Sequence, residues 1–157
     1  MSEADTAREE AMSAFLVESG WQDAKRQPLA GDASTRRYIR VVKDDQTAML
    51  MDQPQQAEMP TADTNATPQQ RRALGYNAIA RLAGADCTRF IAVAAHLRKL
   101  GLAAPEIIAA NTENGFLLLE DFGDRLYTNA IAAGDDERAL YARAIDSLVV
   151  LHNEPAP

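Results

Sequence analysis

Residues 116–120, FLLLE, constrain this 157-residue chain more than any other segment. Leu117-Leu118-Leu119 does not alternate with polar residues, so a strand here has to be covered on both faces. Asn114-Gly115, just before it, is a tight-turn signal. The stretch 106–110 (EIIAA), introduced by Pro105, reads as its antiparallel partner. A strand covered on both sides needs more strands beside it and helices packed over them, and the rest of the chain has to supply both.

Three strand candidates lie upstream. Residues 24–30 (AKRQPLA) contain Pro28, which suits an edge strand. Residues 36–43 (RRYIRVVK) carry Tyr38, Ile39, Val41 and Val42, which favour β structure. Asp44-Asp45 is a turn, and 47–52 (TAMLMD) is the returning strand. Helical spacing appears on either side of them. In 5–19, Ala11 and Phe15 are four apart, as are Met12 and Leu16, with Gly20 as the stop and Trp21 beneath the helix end. Thr67 is set to cap a helix whose first residue is Pro68 and whose apolar residues are Leu74, Ile79 and Leu82, ending near Gly84. Asp86 caps 87–100, with Phe90, Val93, Ala94 and Leu97 at helical spacing and Gly101 at the end. Residues 126–133 and 135–152 are two more helices, the second with Leu140, Ala144, Ile145, Leu148 and Leu151 along one side. Residues 53–67, rich in Pro, Gln, Thr and Asn, read as an exposed, flexible insertion. The pattern predicts an α+β unit: a five-stranded antiparallel sheet with one or two helices packed on it.

Composition removes several classes of function. Apolar residues at 46% and charged residues at 25% are ordinary for a globular chain. No apolar run approaches the ~20 residues of a membrane span. The acidic start MSEADTAREEA is not a secretory signal. The single cysteine, Cys87, suits a reducing cytosol, so a cytoplasmic location is expected. A net charge of −7, spread along the chain, disfavours nucleic acid as a partner. His96 and His152 have no ligand-spaced partners, so no zinc pattern exists. Cys87 at a helix start is open to a lowered pKa, but with no base near it in sequence it reads as passive.

The turn between the first two strands, LAGDASTRRY (29–38), is the best anion site in the sequence. Gly31 followed by Asp32, Ala33 and Ser34 exposes backbone N–H groups that can surround phosphate oxygens. Ser34 and Thr35 add hydroxyl donors, and Arg36 or Arg37 adds charge. The turn is not a Walker loop, and Gly, Asp and Ser are also the ordinary residues of any hairpin turn. Arg36, Arg37, Arg40 and Lys43 place charge on both faces of one strand, either as a solvated edge or as an attraction for phosphate.

The order of these signals resembles the aminoglycoside phosphotransferase-like small-molecule kinases, and within them the bacterial branch that contains the N-acetylmuramate/N-acetylglucosamine anomeric kinases. The resemblance is carried by Gly20-Trp21, PLAGDASTRRYIRV (28–41), AMLMDQP (48–54), FIAVAAHLRKLGLAAPEIIAAN (90–111), GFLLLEDFGD (115–124) and LYARAIDSLVVLHN (140–153). It implies a kinase-like N-lobe and hinge over 1–124, and over 125–157 the first helices of a truncated C-lobe. It implies ATP with Mg²⁺ as the ligand: Gly31, Asp32, Ala33, Ser34 and Arg36 over the phosphates, and the backbone of Glu120, Asp121 and Phe122 along the adenine edge. Asp121-Phe122-Gly123 spells a metal-binding kinase tripeptide, but no H-R-D precedes it, so a polar strand-end turn or hinge is the better reading.

Two departures accompany the resemblance. The family pairs a basic residue on the third strand with a Glu in the next helix. Here Met51 stands at the first position and Arg89 or Phe90 at the second. Losing both together is coherent, because losing one would strand a buried charge at a cost of roughly 3–5 kcal/mol. The catalytic loop of the family lies downstream of the last helix, so no catalytic residue or protein magnesium ligand is expected within 1–157. The expected function is therefore the nucleotide-binding portion of a phosphotransferase acting on a sugar or amino sugar, inactive alone. A non-catalytic kinase-like binding or scaffold protein is the alternative. The sugar would be met through the missing C-lobe, and the apolar side of 135–152 is expected to be mobile, docked differently or buried in an oligomer contact.

Overall fold

The computed structural model describes residues 3–31, 36–54, 62–63, 65–79 and 86–155. Helix α1 spans Glu3–Glu18 and buries Met12, Phe15 and Leu16. It ends where Gly20 takes φ +79°, a conformation that costs a Cβ-free residue nothing. The Trp21 N–H then donates to Leu16 O at 2.7 Å and the Gly20 N–H to Val17 O at 3.0 Å. This pair of bonds satisfies two terminal carbonyls and folds Trp21 into the core.

Five strands follow the predicted order: β1 Lys25–Pro28, β2 Arg37–Lys43, β3 Gln46–Asp52, β4 Ile107–Asn111 and β5 Phe116–Glu120. They form one antiparallel sheet ordered β1-β2-β3-β5-β4, with Pro28 on an edge as its missing N–H requires. β5 lies between β3 and β4, and Phe116, Leu117, Leu118 and Leu119 are all buried. The non-alternating run is thus explained by helices on both faces. On one face α1 meets Val41, Ala48, Leu50, Phe116 and Leu118, with Phe15 stacked on Phe116 at 5.8 Å. On the other face α4, Cys87–Lys99, packs Cys87, Phe90 and Ile91 against Met51, Leu117 and Leu119. Each fully buried side chain of this size stabilises the fold by roughly 1.5–3 kcal/mol.

The structure departs from expectation in three places. The helix capped by Thr67 is broken: α2 covers Pro68–Leu74 and α3 covers Tyr76–Ile79, separated by Gly75 at φ +98°. Its Thr67–Gln70 capping box is present, while the Ile79 side chain, Leu82 and Gly84 lie outside the described residues. In α4 the stripe facing the sheet is Cys87, Phe90, Ile91 and Ala94, and Val93 is turned a quarter-circle away into solvent. The insertion at 53–67 is described only in part: Gln53 is buried rather than exposed, and 55–61 and 64 lie outside the described residues.

Beyond β5 the chain forms α5, Tyr127–Ala132, and α6, Glu137–His152. Tyr127 packs edge-on to Tyr141 and donates its hydroxyl to Leu140 O at 3.1 Å, tying the two helices. No residue of α6 is buried, and Ile145 and Leu148 are more than half exposed. No described helix is long and apolar enough to cross a membrane.

Candidate functional site

Strand alternation divides the charged residues of β2 between the two faces. Arg37 is paired across the ladder with Asp52, on the α1 side. Tyr38 lies opposite Met51 and Arg40 opposite Met49, on the α4 side. Arg36, one residue before β2, continues the phase of Tyr38 and Arg40, and Gln53 continues that of Met49 and Met51. The α4 face therefore carries a strip of Arg36, Tyr38, Arg40, Met49, Met51 and Gln53, which runs from the β1–β2 turn toward the end of β5.

None of the four cations near β2 is a loosely solvated edge charge. Arg36 donates through Nε to Gln53 Oε1, and Gln53 is fixed by its own N–H to Gly115 O at 2.8 Å. Arg37 bonds Asp52 Oδ2 through Nε at 2.9 Å. Lys43 Nζ donates to Gly20 O at 2.7 Å, at the C-terminal end of α1 where a cation is favoured. Arg40 reaches across β3 to two carboxylates beyond β5. It donates to Asp121 at 2.7 and 3.2 Å and to Asp124 at 2.9 and 2.7 Å.

This cluster shows what the Asp121-Phe122-Gly123 tripeptide does in the fold. Burial alone would raise the Asp121 pKa, but Arg40, the Gly123 N–H at 2.9 Å and the Thr47 hydroxyl outweigh it and hold the group below the usual carboxylate range. Hydrogen bonds from Arg40 likewise hold Asp124 low. Asp121 is in phase with Leu117 and Leu119, so its carboxylate turns inward beneath the sheet. Alternation from the buried strand would have marked it as an inward charge in need of a cation.

Of the positions singled out for the paired charge, Met51 is fully buried and Phe90 packs on the same cluster, whereas Arg89 is exposed and pairs with Asp86 at 3.6 Å. Met51 and Phe90 thus bring no charge into that core. Cys87, at the start of α4, belongs to that cluster too, and burial pushes its thiol pKa up despite the nearby Arg36. The helix-start activation considered from sequence is thus overruled by desolvation.

The anticipated site residues fall into separate hollows. Gly31 and Arg36 line a cavity of about 430 Å³ with Leu29, Tyr38 and, from α1, Glu9 and Met12. Asp32, Ala33 and Ser34 lie outside the described residues. Glu120 and Phe122 line another hollow of about 510 Å³, beside Arg98 and Leu102. The Glu120 N–H is committed to Glu106 O at 2.9 Å, and its carboxylate accepts from the Glu106 N–H at 3.1 Å. Asp121 is paired with Arg40 and lines neither hollow, and the first hollow is walled on one side by α1.

This five-stranded antiparallel sheet with helices packed on both faces is consistent with a kinase-like N-lobe. The sequence pattern of the phosphotransferase enzyme family matches residues 25–157, most of the chain. The chain belongs to that family. Relatives within it include an N-acetylmuramate/N-acetylglucosamine kinase of Caulobacter vibrioides, 46% identical over 150 residues, 96% of this chain and 41% of that protein. The protein of the same name from Pseudomonas aeruginosa is 31% identical over 138 residues, 86% of this chain and 32% of the relative. Another, from Pseudomonas putida, is 30% identical over 126 residues, 80% of this chain and 29% of the relative. This phosphotransferase-family chain thus spans less than half the length of the relatives it matches.

Proposed function

We propose that this chain is the nucleotide-binding portion of an ATP-dependent phosphotransferase whose acceptor is an amino sugar of the N-acetylmuramate or N-acetylglucosamine type. The observation that carries the reading is the strip from Arg36 to the hinge on the α4 face. It places Arg36 on the sheet face of Met51, where the family has its phosphate-binding pair, in a chain with a relative 46% identical. The kinase-like unit comprises residues 1–124, and 125–157 begins a helical part.

Each element has a defined task in this reading. The β1–β2 turn, from Gly31 through Ser34, offers backbone N–H groups to the phosphates, and Arg36 neutralises their charge in place of a residue at Met51. The backbone at Glu120–Phe122 meets the adenine edge. Since the Glu120 N–H is used within the sheet, the donor falls to the exposed Phe122. Magnesium enters with the nucleotide. Phosphoryl transfer rests on positioning and on charge stabilisation by metal and protein groups. In this reading no group of these 157 residues accepts the acceptor's proton or holds the metal, so the polypeptide by itself transfers no phosphate.

Calorimetric titration with Mg-ATP tests the nucleotide site. Saturable binding that weakens in Arg36→Ala supports it, and no binding at millimolar nucleotide removes it. The buried Met51–Phe90 cluster favours a second reading, a non-catalytic kinase-like binding protein. Radiolabelled phosphate transfer to N-acetylglucosamine by the full product of its gene decides between the two.

A further inference from the structure

The Arg40 cluster has a place and a shape that its charge pairing alone does not require. β2 and β5 are separated by β3, yet the Arg40 guanidinium passes over β3 to engage residues just past β5. It holds two carboxylates in opposite environments: the Asp121 side chain is 4% exposed, that of Asp124 76%. The backbone between them is held chiefly through those two residues. Sheet pairing ends at Glu120, Phe122 and Gly123 are exposed, and Gly123 sits at φ +72°. Its remaining restraints are the Gly123 N–H and the Thr47 hydroxyl on Asp121, and the Asn129 amide and the Leu126 N–H on Asp124 O, both at 2.9 Å. All of them act through those two aspartates.

We propose that Arg40 is a positioning residue for nucleotide recognition, which orients the backbone of residues 120–124 toward the purine base by gripping Asp121 and Asp124 together. This rests on the nucleotide-site reading above. A base recognised edge-on needs one carbonyl and one N–H in fixed relation, and losing one such hydrogen bond costs up to about tenfold in affinity. The role separates Arg40 from Arg36. Arg36 acts on phosphate charge, whereas Arg40, already neutralised by two carboxylates, acts on the base through the chain it holds.

The separation sets the experiment. The full chain, Arg40→Gln, and Arg40→Gln combined with Asp121→Asn are titrated with Mg-ATP and with Mg-tripolyphosphate, which has no base. The double variant leaves no buried carboxylate unpaired, so it reports even where the single variant fails to fold. Affinity for ATP is expected to fall about tenfold in a folded variant while affinity for tripolyphosphate stays the same. Equal losses for both ligands would overturn the proposal, since they would make Arg40 a phosphate contact or a purely structural residue. Undiminished ATP binding would overturn it as well. Amide exchange of 121–124, expected to quicken in the variants without any ligand, tests the grip separately: unchanged exchange ends the proposal but leaves the nucleotide site standing. A wild-type chain that binds neither ligand removes the site itself, and Arg40's role with it.

Discussion

Arg8 on α1 and Asp52 at the end of β3 are joined by two hydrogen bonds, at 3.1 and 2.5 Å, and the same guanidinium lies 4.2 Å over the ring of Phe116. Asp52 is fully buried and also receives Arg37. This is how a carboxylate is kept within an apolar layer: two cations and an aromatic face surround it. Arg8→Ala is expected to lower stability by about 2 kcal/mol, because it strips a buried carboxylate of one partner and exposes the ring it covers. Arg37→Ala, whose side chain is mostly exposed, is expected to cost about 1 kcal/mol or less. Urea unfolding of the two variants checks the order, and a larger loss for Arg37 would contradict it.

Acid should weaken the hold on the segment after β5. Asp121 and Asp124 are both held below the ordinary carboxylate value, so the unfolded chain takes up protons first as the pH drops. The stabilisation is fully present above about pH 4, the unfolded value, and is lost as the pH falls through the lower folded values. In thermal melts across this range, Asp124→Asn is expected to fall less steeply than the wild type. Parallel curves would count against the pairing.

Met51 and Phe90 test whether the apolar contact has replaced an ion pair as a unit. Met51→Lys alone places an unpaired charge in a buried cluster and is expected to cost about 3 kcal/mol or more. Adding Phe90→Glu is expected to recover part of that loss. A double-mutant cycle measures the coupling, and strictly additive losses would show that the two positions do not face each other.

Gly20 closes α1 at positive φ, and a Cβ there would meet no neighbour within 4 Å. Gly20→Ala is therefore expected to cost about 1 kcal/mol through backbone conformation alone. A loss of that size by chemical denaturation, with the Trp21 fluorescence of the native state unchanged, fits this origin. A shifted native spectrum would point to repacking.

Much of the fold was legible because it rests on local rules. The uninterrupted leucines of β5 demanded cover on both faces, Pro28 demanded an edge, and Thr67, Asp86 and Gly20 marked helix ends through their own hydrogen-bonding or φ preferences. The partners of charged residues were not legible in the same way. Arg40 and Asp121 are 81 positions apart, and only the sheet order β2-β3-β5 brings them together. The strand phases did contain half the answer, since Asp121 follows Leu119 by two residues and Arg40 follows Tyr38 by two. The break at Gly75 and the outward turn of Val93 depend on how helices meet the rest of the chain, which spacing within one helix does not encode.

Amide exchange by mass spectrometry, with and without saturating Mg-ATP, tests the nucleotide site most directly. Protection is expected together at 28–31, 36–40 and 120–124, with α6 unaffected. Uniform exchange across these three segments, or protection confined to α6, would contradict a nucleotide site under this sheet.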